Sequence, residues 1–473
     1  MKKLRIFLVN VGLRSRLYPL ATPPLGIMYI AAYLRERFPL EIKLVNQRVE
    51  DCSHDDIIRQ IIDFDADIVG LGSMTPTAHG MPVIARGVRD AKPDTFIVLG
   101  GPHVSAFGKP ALEHCPAADA AVAGEGELSM EMILRALHEG GGFSHIPGLM
   151  WRDKEGEIIT NSGRAPVIED LDTIPMAAYD LIDLSKYWRT QSMPPIPRRR
   201  YVSLLSSRGC PYACMWCHNI FGRAFRAHSA ARIVDEVRHY VKTYGIDDIE
   251  FVDDSFNLSK ERLLDFSDLL LKTNGPIKIA FPNALRADLL EESTVDALVD
   301  AGVYFCSFAL ESGSPRIQEF TGKRLNIPQF LKAIELSTRK GIFANGFMML
   351  GFPTETEEEM QETIRVATDS QLHTASFFTV TPFPGTALYE YVKENLQERL
   401  KGMDYNDMDF CTMHVNMSTL TDERLFYYQR KAARTFFFKP SRIYRILRDF
   451  PQPHLLPLYV PIFLNRAIKG IFS

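Results

Sequence analysis

The stretch RGCPYACMWCHN, from Arg208 to Asn219, holds three of the seven cysteines of this 473-residue chain. Three residues separate Cys210 from Cys214, and two separate Cys214 from Cys217. Thiolates in such an array bind soft metals, so zinc and an iron-sulfur cluster are the candidates. A structural zinc site needs four ligands, and no second cysteine pair lies nearby. A 4Fe-4S cube held by three cysteines instead leaves one iron open to a non-protein ligand.

The sequence around this stretch alternates short β-branched runs with longer amphipathic runs. From Tyr201 to Pro384 there are six such βα units, beginning with YVSLLSS and ending with ASFFTVTPF. A closed barrel needs eight units, so the pattern predicts an open, six-stranded (β/α)6 partial barrel of the TIM type over residues 201–390. The cysteines follow its first strand and are expected at the carboxyl-terminal edge, where barrel enzymes keep their chemistry.

The first 125 residues show the same alternation and predict a parallel sheet with helices on both faces. We assign residues 1–140 to this doubly wound, Rossmann-like domain. Ligands of such sheets bind at the carboxyl ends of the strands. Three of these ends carry small or hydroxyl residues, at positions 72–75, 100–103 and 124–127. Tight turns explain any one of them, but three on one edge favour a cofactor with a large flat face.

Two further segments complete the predicted organisation. Residues 141–200 form a connector with a short hairpin whose turn is Glu155-Gly156. Residues 391–473 form a helical segment rich in apolar and basic residues, whose end is a candidate surface-lying stretch with Arg466 and Lys469.

The composition and charge of the chain indicate which broad class of protein it belongs to. Apolar residues make up 46 % and charged residues 24 % of the chain, which is typical of a folded soluble protein. A net charge of -4 gives no electrostatic reason to expect nucleic acid as a partner. The N-terminus lacks a cleavage site of the secretory kind, and the other cysteines show no disulfide spacing. A reducing cytoplasm is therefore the expected compartment.

The cysteine pattern also resembles a known family. CxxxCxxC with an aromatic residue, Trp216, before its last cysteine resembles the radical S-adenosylmethionine (SAM) superfamily. The flanking Arg208, Gly209 and Pro211 resemble its cobalamin-binding branch. The resemblance implies that SAM chelates the open iron through its amino and carboxylate groups.

Segments at the ends of the later strands resemble the same branch in the same order, through Asp253-Asp254, Asn283 with Arg286, the Glu311-Ser312-Gly313 segment and the sixth-strand segment ending at Thr386. A guanidinium at Arg286 would pair with the SAM carboxylate, or else bridge Asp288 as an exposed pair worth little. The residues that the resemblance assigns to SAM are Trp216, Asp253, Asp254, Arg286, Glu311, Ser312, Phe347 and Pro384.

The N-terminal turns resemble the cobalamin-binding domain of this branch. The motif D-x-H-x-x-G, which supplies a histidine to cobalt in some such domains, is missing from the sequence. His79 and His103 lie near strand ends as alternative ligands, or as loop hydrogen-bonding groups. The residues assigned to cobalamin are Ser73, Thr75, Gly100, Gly101, His103, Gly124, Glu125 and Gly126.

The implied function is C-methylation of an unactivated carbon through a 5'-deoxyadenosyl radical and methylcobalamin. The first alternative is an oxidative ring-forming cyclase of the anaerobic magnesium-protoporphyrin monomethyl ester type. A methylthiotransferase lacks support because Cys52 and Cys115 are too few for a second cluster, and a non-catalytic sensor would not need the SAM-contact segments. The implied partners are a small molecule, of lipid or tetrapyrrole kind, and a flavodoxin or ferredoxin as electron donor. The apolar tail adds a peripheral membrane contact as an expectation.

Overall fold

The structure is a computed structural model that describes residues 3–14, 21–194, 196, 199–272, 277–406 and 415–457. The chain divides into two compact units. The first comprises Met1–Ser192, His218–Ala227 and Asp404–Asp407. The second comprises Met193–Cys217, His228–Met403 and Met408–Ser473. Cys411 and the predicted surface-lying stretch with Arg466 and Lys469 lie outside the described residues.

The first unit is built on a seven-stranded sheet of order β2-β1-β3-β4-β5-β6-β7. Its strands are β1 (Leu4–Val11), β2 (Leu40–Asn46), β3 (Ile68–Ser73), β4 (Phe96–Gly100), β5 (Ala120–Ala121), β6 (Met150–Arg152) and β7 (Ile158–Thr160). Its helices are α1 (Leu25–Arg35), α2 (Gln47–Glu50), α3 (His54–Asp63), α4 (Gly80–Ala91), α5 (Gly101–Phe107), α6 (Lys109–Glu113), α7 (Glu127–Glu139) and α8 (Leu184–Arg189). The parallel strands follow the 2-1-3-4-5 order of flavodoxin-like doubly wound sheets.

Both faces of this sheet are covered, as predicted. In β1, Phe7 and Val9 pack into one hydrophobic cluster with α3 and α4 residues, whereas Ile6 and Leu8 pack into a second cluster with α1 and α7 residues. Alternate side chains of a strand point to opposite faces, so a strand buried on both reads as a continuous apolar run. The predicted hairpin is present as the antiparallel pair β6–β7, and it extends the sheet of the first unit.

The second unit is built on a six-stranded parallel sheet of order β15-β14-β13-β12-β11-β8. Its strands are β8 (Tyr201–Leu204), β11 (Asp248–Phe251), β12 (Lys278–Leu285), β13 (Val303–Glu311), β14 (Phe343–Leu350) and β15 (Thr374–Thr379). Two short strands lie between β8 and β11, β9 (Ser207–Arg208) and β10 (Arg226–Ala227), of which β10 belongs to the first unit. The predicted open, six-stranded architecture is confirmed.

Helices follow the strands of this sheet in the βα order that the sequence predicts. They are α9 (Ala230–Tyr244), α10 (Lys260–Leu271), α11 (Glu292–Asp300), α12 (Pro315–Phe320), α13 (Ile327–Arg339), α14 (Glu357–Asp369) and α15 (Ala387–Asn395). The predicted helical C-terminal segment contains α16 (Asp422–Phe437) and α17 (Pro440–Asp449). No helix among the described residues is long and apolar enough to cross a membrane. The three boundaries assigned from the sequence, after residues 140, 200 and 390, stay a prediction.

A buried ion cluster lies at the amino-terminal edge of the second sheet. Arg199 donates to the Glu250 carboxylate over 2.6 Å and to the Tyr304 hydroxyl over 3.2 Å. Ser203 donates to the other Glu250 oxygen, and Tyr304 donates to Asp248 over 2.7 Å. Buried carboxylates are retained only where charge and hydrogen bonds satisfy them. Arg199 lies 3.5 Å from the Asp248 carboxylate and 2.6 Å from that of Glu250, so the buried charges are paired with one another at the edge opposite the cysteines.

Candidate functional site

The cysteine loop follows β9, a short strand outside the six-stranded sheet, and carries little regular structure of its own. Gly209 takes a positive φ of 86°, a conformation that side chains other than glycine rarely adopt. Two backbone hydrogen bonds hold the middle of the loop. Met215 N–H donates to the Thr321 carbonyl after α12 over 2.9 Å, and Leu388 N–H at the start of α15 donates to the Met215 carbonyl over 2.7 Å. The loop is therefore fixed by neighbouring helices of its own unit.

The three thiols of this loop lie in one electrostatic neighbourhood. Desolvation by the surrounding protein raises the pKa of Cys217, and the Asp254 carboxylate and the thiols of Cys214 and Cys210 raise it further. Burial is also the main cause of a raised pKa at Cys214, where Lys323 acts in the opposite direction. The thiols of this loop thus act on one another electrostatically, Cys210 on Cys214 and both of these on Cys217.

The three cysteine thiols fit a cube-shaped 4Fe-4S cluster better than a single metal ion. Within the part of the chain that the structure describes, no three His, Cys, Asp or Glu side chains converge so as to hold one metal ion. A cube does not require such convergence, because each of its thiolates binds a different iron. Three thiols in a loop without a fourth thiol therefore fit a 4Fe-4S cluster with one iron open better than a structural zinc ion, for which His218, directly after Cys217, is the one further ligand in the stretch 208–219.

Trp216 forms an apolar wall beside the cysteines. Its ring lies 5.5 Å from the ring of Phe352, which follows β14, and both belong to one hydrophobic cluster. The Lys323 ammonium lies 6.0 Å from the Trp216 ring centroid, within cation–π range. The indole is thus positioned by the β14 loop on one side and by a cation on the other.

Asp253 lies at the carboxyl end of β11 and is buried. Its Oδ1 accepts hydrogen bonds from Ser206 over 2.9 Å and from Ser207 over 2.6 Å. Its Oδ2 is buried and has no hydrogen-bond partner among the described residues. Burial raises the pKa of this carboxyl, against the opposing effect of Arg262. A buried carboxylate oxygen without a partner is costly and marks a place for a ligand donor. This fits the ammonium of SAM.

Asp254 differs from its neighbour because its side chain faces solvent. The protein atoms around it and the Asp253 carboxylate together raise its pKa to about 6. Among the charged groups that affect the pKa of Cys217, Asp254 has the largest effect. Asp254 therefore interacts electrostatically both with Cys217 of the predicted cluster and with Asp253.

Arg286 is committed to protein groups. Its Nε donates to the Asp288 carboxylate over 2.9 Å. Its Nη2 donates to the same carboxylate over 3.2 Å and to the Lys323 carbonyl over 3.2 Å. Its guanidinium also lies 3.7 Å from the ring centroid of Tyr212 in the cysteine loop. The structure contains the bridge to Asp288, and the pairing of Arg286 with the SAM carboxylate stays a prediction. The pair is largely buried, with 11 % and 12 % of the two side chains exposed, rather than an exposed pair.

Glu311 ends β13 with a positive φ of 64°, which is strained for a residue with a side chain. Burial raises the pKa of its carboxyl, and Lys323 opposes this from 3.6 Å. The sequence reasoning did not identify Lys323. The only feature that distinguishes it in the sequence is its position after a Gly in a turn. Lys323 lies 3.6 Å from Glu311 and 6.0 Å from the Trp216 ring centroid, and it affects the pKa of Cys214, so it is a cation close to three of the predicted site residues.

Ser312 and Gly313 connect this strand end to α14. Ser312 Oγ lies 3.3 Å from Thr363 Oγ1, and Gly313 N–H donates to the same hydroxyl over 2.9 Å. A Cβ on Gly313 would lie 2.7 Å from the Thr363 Cα, so only glycine fits here. The hydroxyl of Ser312 is thus used in packing this segment against α14.

The last two predicted SAM residues lie on the following strands. Phe347 is in β14, and its ring lies 5.8 Å from that of Phe378 in β15. Pro384 follows β15 and is buried. Beyond β14, the buried Glu355 accepts N–H hydrogen bonds from Gly351 over 2.7 Å and Phe352 over 3.0 Å, and burial raises its pKa to about 8. Glu355 was missed by the sequence reasoning, and it fixes the loop that carries Phe352.

The first unit carries its predicted site at the carboxyl edge of β3 and β4. Ser73 is buried, and its hydroxyl donates to the Val11 carbonyl over 3.1 Å. Thr75 is buried as well. Gly101 has a φ of 84°, and a Cβ there would lie 3.1 Å from the Ser73 backbone nitrogen. Gly100 ends β4 in an extended conformation. A backbone this closely packed leaves a smooth edge for a flat ligand.

His103 lies in the first turn of α5, directly after these glycines. Its Nδ1 is buried and has no hydrogen-bond partner among the described residues. Burial lowers its pKa to about 4, so the ring is neutral at pH 7. Its ring lies 4.5 Å from that of Phe107. His79, the alternative, is exposed at the start of α4. The orphaned Nδ1 of His103 fits a polar group of cobalamin.

The third predicted turn is held by a buried ion pair. Glu125 binds the guanidinium of Arg226, with Nη1 3.3 Å from Oε2 and a shorter contact from Nη2 to Oε1. Arg226 also donates to the Ile168 carbonyl over 2.6 Å. Gly124 has a φ of 85°, and its N–H donates to Ser105 over 2.9 Å. A Cβ on Gly126, which precedes α7, would lie 2.6 Å from Cδ1 of Ile30. Arg226 was missed, because nothing local in the sequence links it to Glu125.

Two family models match this chain, and each falls on one of the two sheets. The B12 binding domain matches residues 17–134, and the Radical SAM superfamily matches residues 204–367. The chain belongs to the cobalamin-binding branch of the radical SAM superfamily. The predicted family, fold class and cofactor set are thereby confirmed, as is the assignment to enzymes. Enzymes of this superfamily act on small molecules with the help of a reductant.

Individual relatives agree with this family. The chain is 32 % identical, over its full length and 98 % of the relative, to an uncharacterized methyltransferase, PH0819, of Pyrococcus horikoshii. It is 25 % identical to the anaerobic magnesium-protoporphyrin IX monomethyl ester cyclase of Rubrivivax gelatinosus, over 95 % of this chain and 80 % of the relative. Among solved structures, the cobalamin-dependent SAM radical enzyme OxsB superimposes with a TM-score of 0.74 at 18 % identity, over 99 % of this chain and 72 % of that chain.

Proposed function

We propose that this protein is a cobalamin-dependent radical SAM C-methyltransferase that methylates an unactivated carbon of a small hydrophobic substrate. One observation carries the proposal: a three-thiol loop on a six-stranded parallel sheet and a B12-binding domain occur in one chain. The relative from Pyrococcus horikoshii, which matches along the whole chain, is named a methyltransferase. Methylation is therefore the reaction that the family and the cofactor set support best.

When bound, the cluster and SAM would supply a carbon-centred radical, and cobalamin would supply the methyl group. The protein's own residues would hold and orient these groups. Cys210, Cys214 and Cys217 would bind three irons, and Asp253 would accept a hydrogen bond from the SAM ammonium through its unused oxygen. Trp216 would exclude water on one side of the loop. The glycines after β4 would admit the flat face of cobalamin.

The coproducts of SAM test this reaction. A C-methyltransferase of this kind consumes SAM in two ways, so reductive cleavage gives 5'-deoxyadenosine and methyl donation gives S-adenosylhomocysteine. We expect both coproducts, in comparable amounts, when the reduced protein with cobalamin is incubated anaerobically with SAM and an extract of polar and apolar small molecules. Methyl-labelled SAM should label the product. Substrate-dependent 5'-deoxyadenosine without S-adenosylhomocysteine would overturn methylation.

An oxidative cyclase is the second candidate. The observation that favours it is the similarity to the Rubrivivax gelatinosus cyclase over nearly the whole chain. A cyclase of this type needs the same cofactors but leaves the SAM methyl group in place. The coproduct measurement separates the two, because only the cyclase would give an unlabelled product.

Partners and location are part of the same proposal. A lipid or tetrapyrrole substrate would suit the apolar and aromatic C-terminal segment, and a flavodoxin or ferredoxin would supply low-potential electrons. The protein would work in the cytoplasm, with a peripheral membrane contact through residues 391–473. The sequence-derived segments 1–140, 141–200 and 201–390 are proposed as cobalamin domain, connector and radical SAM barrel.

Asp253→Asn is expected to weaken SAM binding on the order of tenfold while the iron content stays unchanged. The amide keeps the size of the side chain and an acceptor for Ser206 and Ser207, but it removes the charge opposite the SAM ammonium, and charge-assisted hydrogen bonds are about twice as strong as neutral ones. Equilibrium dialysis with the reconstituted cluster measures this. Asp288→Asn is the matched control, and equal affinity in both variants would contradict the role of Asp253.

A further inference from the structure

The C-terminal helices display large apolar side chains to solvent. Five of them lie in α16, α17 and the turn between: Tyr427, Phe438, Ile443, Tyr444 and Leu447. Tyr444 is 65 % exposed, Phe438 52 % and Leu447 50 %. Single exposed apolar residues are normal on protein surfaces, but a concentration of them marks an interaction site. These five residues are called the outer face below.

The outer face is exposed because α17 does not follow the usual rule for a surface helix, whose apolar side chains face the core. The helix buries Arg442 and Ile446 and exposes Ile443, Tyr444 and Leu447. With Pro440, the exposed residues follow the spacing i, i+3, i+4, i+7, which places them in one stripe. A helix free to rotate would bury this stripe and expose its arginine. Something must therefore hold α17 in this orientation.

Arg442 holds it. Its side chain is 1 % exposed and its guanidinium lies 3.5 Å from the Phe436 ring centroid. Nη1 donates to the Leu372 carbonyl over 2.6 Å, and Nη2 donates to the carbonyls of Thr368 over 2.6 Å and Ser370 over 3.1 Å. These carbonyls lie at the C-terminal end of α14 and just beyond it, where the helix dipole favours a cation. Rotation of α17 would leave a buried charge and buried carbonyls unpaired.

A second contact fixes the end of the same helix. Ala344 N–H in β14 donates to His373 Nδ1 over 2.9 Å, which leaves the proton of the neutral ring on Nε2. That Nε2 lies 3.1 Å from the Asp449 carboxylate at the last residue of α17. Arg442 and Asp449 are seven residues apart, which is about two helical turns. Hydrogen bonds therefore attach both ends of α17 to the barrel.

The charge of this region is opposite to that of the chain. Residues 415–457 contain eight Lys and Arg but only three Asp and Glu, whereas the whole chain has a net charge of -4. Lys431 and Arg434 alternate with Tyr427 and Phe438 along α16 at the spacing i, i+4, i+7, i+11, which is one helix face. Two cations, Lys431 and Arg434, therefore share a helix face with Tyr427 and Phe438 of the outer face.

We propose that the outer face docks on the surface of an anionic lipid bilayer. Aromatic side chains favour the membrane–water interface, and basic residues are attracted to anionic headgroups. Helices that lie in the interface combine these two features. The remaining residues, 458–473, continue the pattern in sequence, with Arg466 and Lys469 and without Asp or Glu. The inference rests on the membrane contact under the proposed function and names the residues that make it, independently of methylation or cyclisation.

Vesicle sedimentation of the full-length protein tests this surface. We expect binding to vesicles of phosphatidylcholine with phosphatidylglycerol at low salt, weaker binding at 0.5 M salt, and little binding to phosphatidylcholine alone. The triple variant Ile443→Ser, Tyr444→Ser, Leu447→Ser should lower the partition coefficient at least about tenfold, because it removes most of the apolar area of the stripe. Lys431→Glu with Arg434→Glu should lower it on anionic vesicles.

The matched control is Val241→Ser with Leu271→Ser, which removes apolar side chains 39 % and 54 % exposed on α9 and α10 of the same unit. This control should bind vesicles like the unsubstituted protein. Undiminished vesicle binding by the triple variant would overturn the proposal. SAM cleavage is measured on the same samples, and its preservation in the triple variant separates this proposal from the proposed chemistry.

Discussion

Cys210→Ala is expected to reduce reductive SAM cleavage to the uncatalysed background. Three thiolates hold the cube, and loss of one removes a ligand that the loop cannot replace, because no fourth cysteine is near in the sequence. The same loss is expected for Cys214→Ala and Cys217→Ala. Iron content and 5'-deoxyadenosine formation under reducing, anaerobic conditions are the two measurements, and both should fall together.

Cys52→Ala is the matched control for these variants. Cys52 is a partly buried free thiol of the first unit, with its Sγ 3.5 Å from the Glu50 carbonyl. It should keep full iron content and full SAM cleavage. Cobalamin binding should survive in all four variants, because its predicted site is in the first unit. A cysteine-loop variant that loses cobalamin along with the cluster would contradict the assignment of the two cofactors to separate units.

Glu125→Ala is expected to destabilise the first unit by about 3–5 kcal/mol, since it leaves the Arg226 guanidinium buried without its carboxylate. The side chains of Arg226 and Glu125 are 7 % and 2 % exposed. Urea unfolding followed by tryptophan fluorescence measures this change. In a Trp216→Phe background the remaining tryptophans, Trp151 and Trp188, both report on the first unit.

Two further variants control this measurement. Asp180→Ala removes the partner of Arg35 in a pair whose side chains are 52 % and 39 % exposed, and should cost less than about 1 kcal/mol. Glu125→Leu with Arg226→Met replaces the buried pair by apolar side chains, and should recover most of the lost stability. If Glu125→Ala proved no more harmful than Asp180→Ala, the pair would not hold the Gly124–Gly126 turn.

Local patterns in the sequence were enough to predict most of the fold. In β1, Ile6 to Val9 form a continuous apolar run because both faces of the strand are buried. The cysteine spacing is likewise local, so the cluster loop was found from one stretch. Parallel topology then places every strand end, and with it Asp253 and Glu311, on one edge of the second sheet.

Contacts between distant residues were beyond the same reasoning. Arg226 lies 101 positions from Glu125, and Lys323 approaches Glu311 only after α12 has turned back on the sheet. Arg286 could be placed at the correct strand end, but the choice of Asp288 as its partner depends on the burial of both. Burial also decides the role of Arg442, which periodicity alone would place on a solvent-facing surface.

The central claim is that one chain holds both a SAM-binding cluster and cobalamin. Iron analysis and visible absorption of the anaerobically purified, cobalamin-supplied protein test it most directly. We predict about four irons per chain together with the absorption bands of one bound cobalamin, and a spectral change of the cluster when SAM is added. A protein with an intact cluster and no cobalamin absorption after supply and gel filtration would contradict the claim.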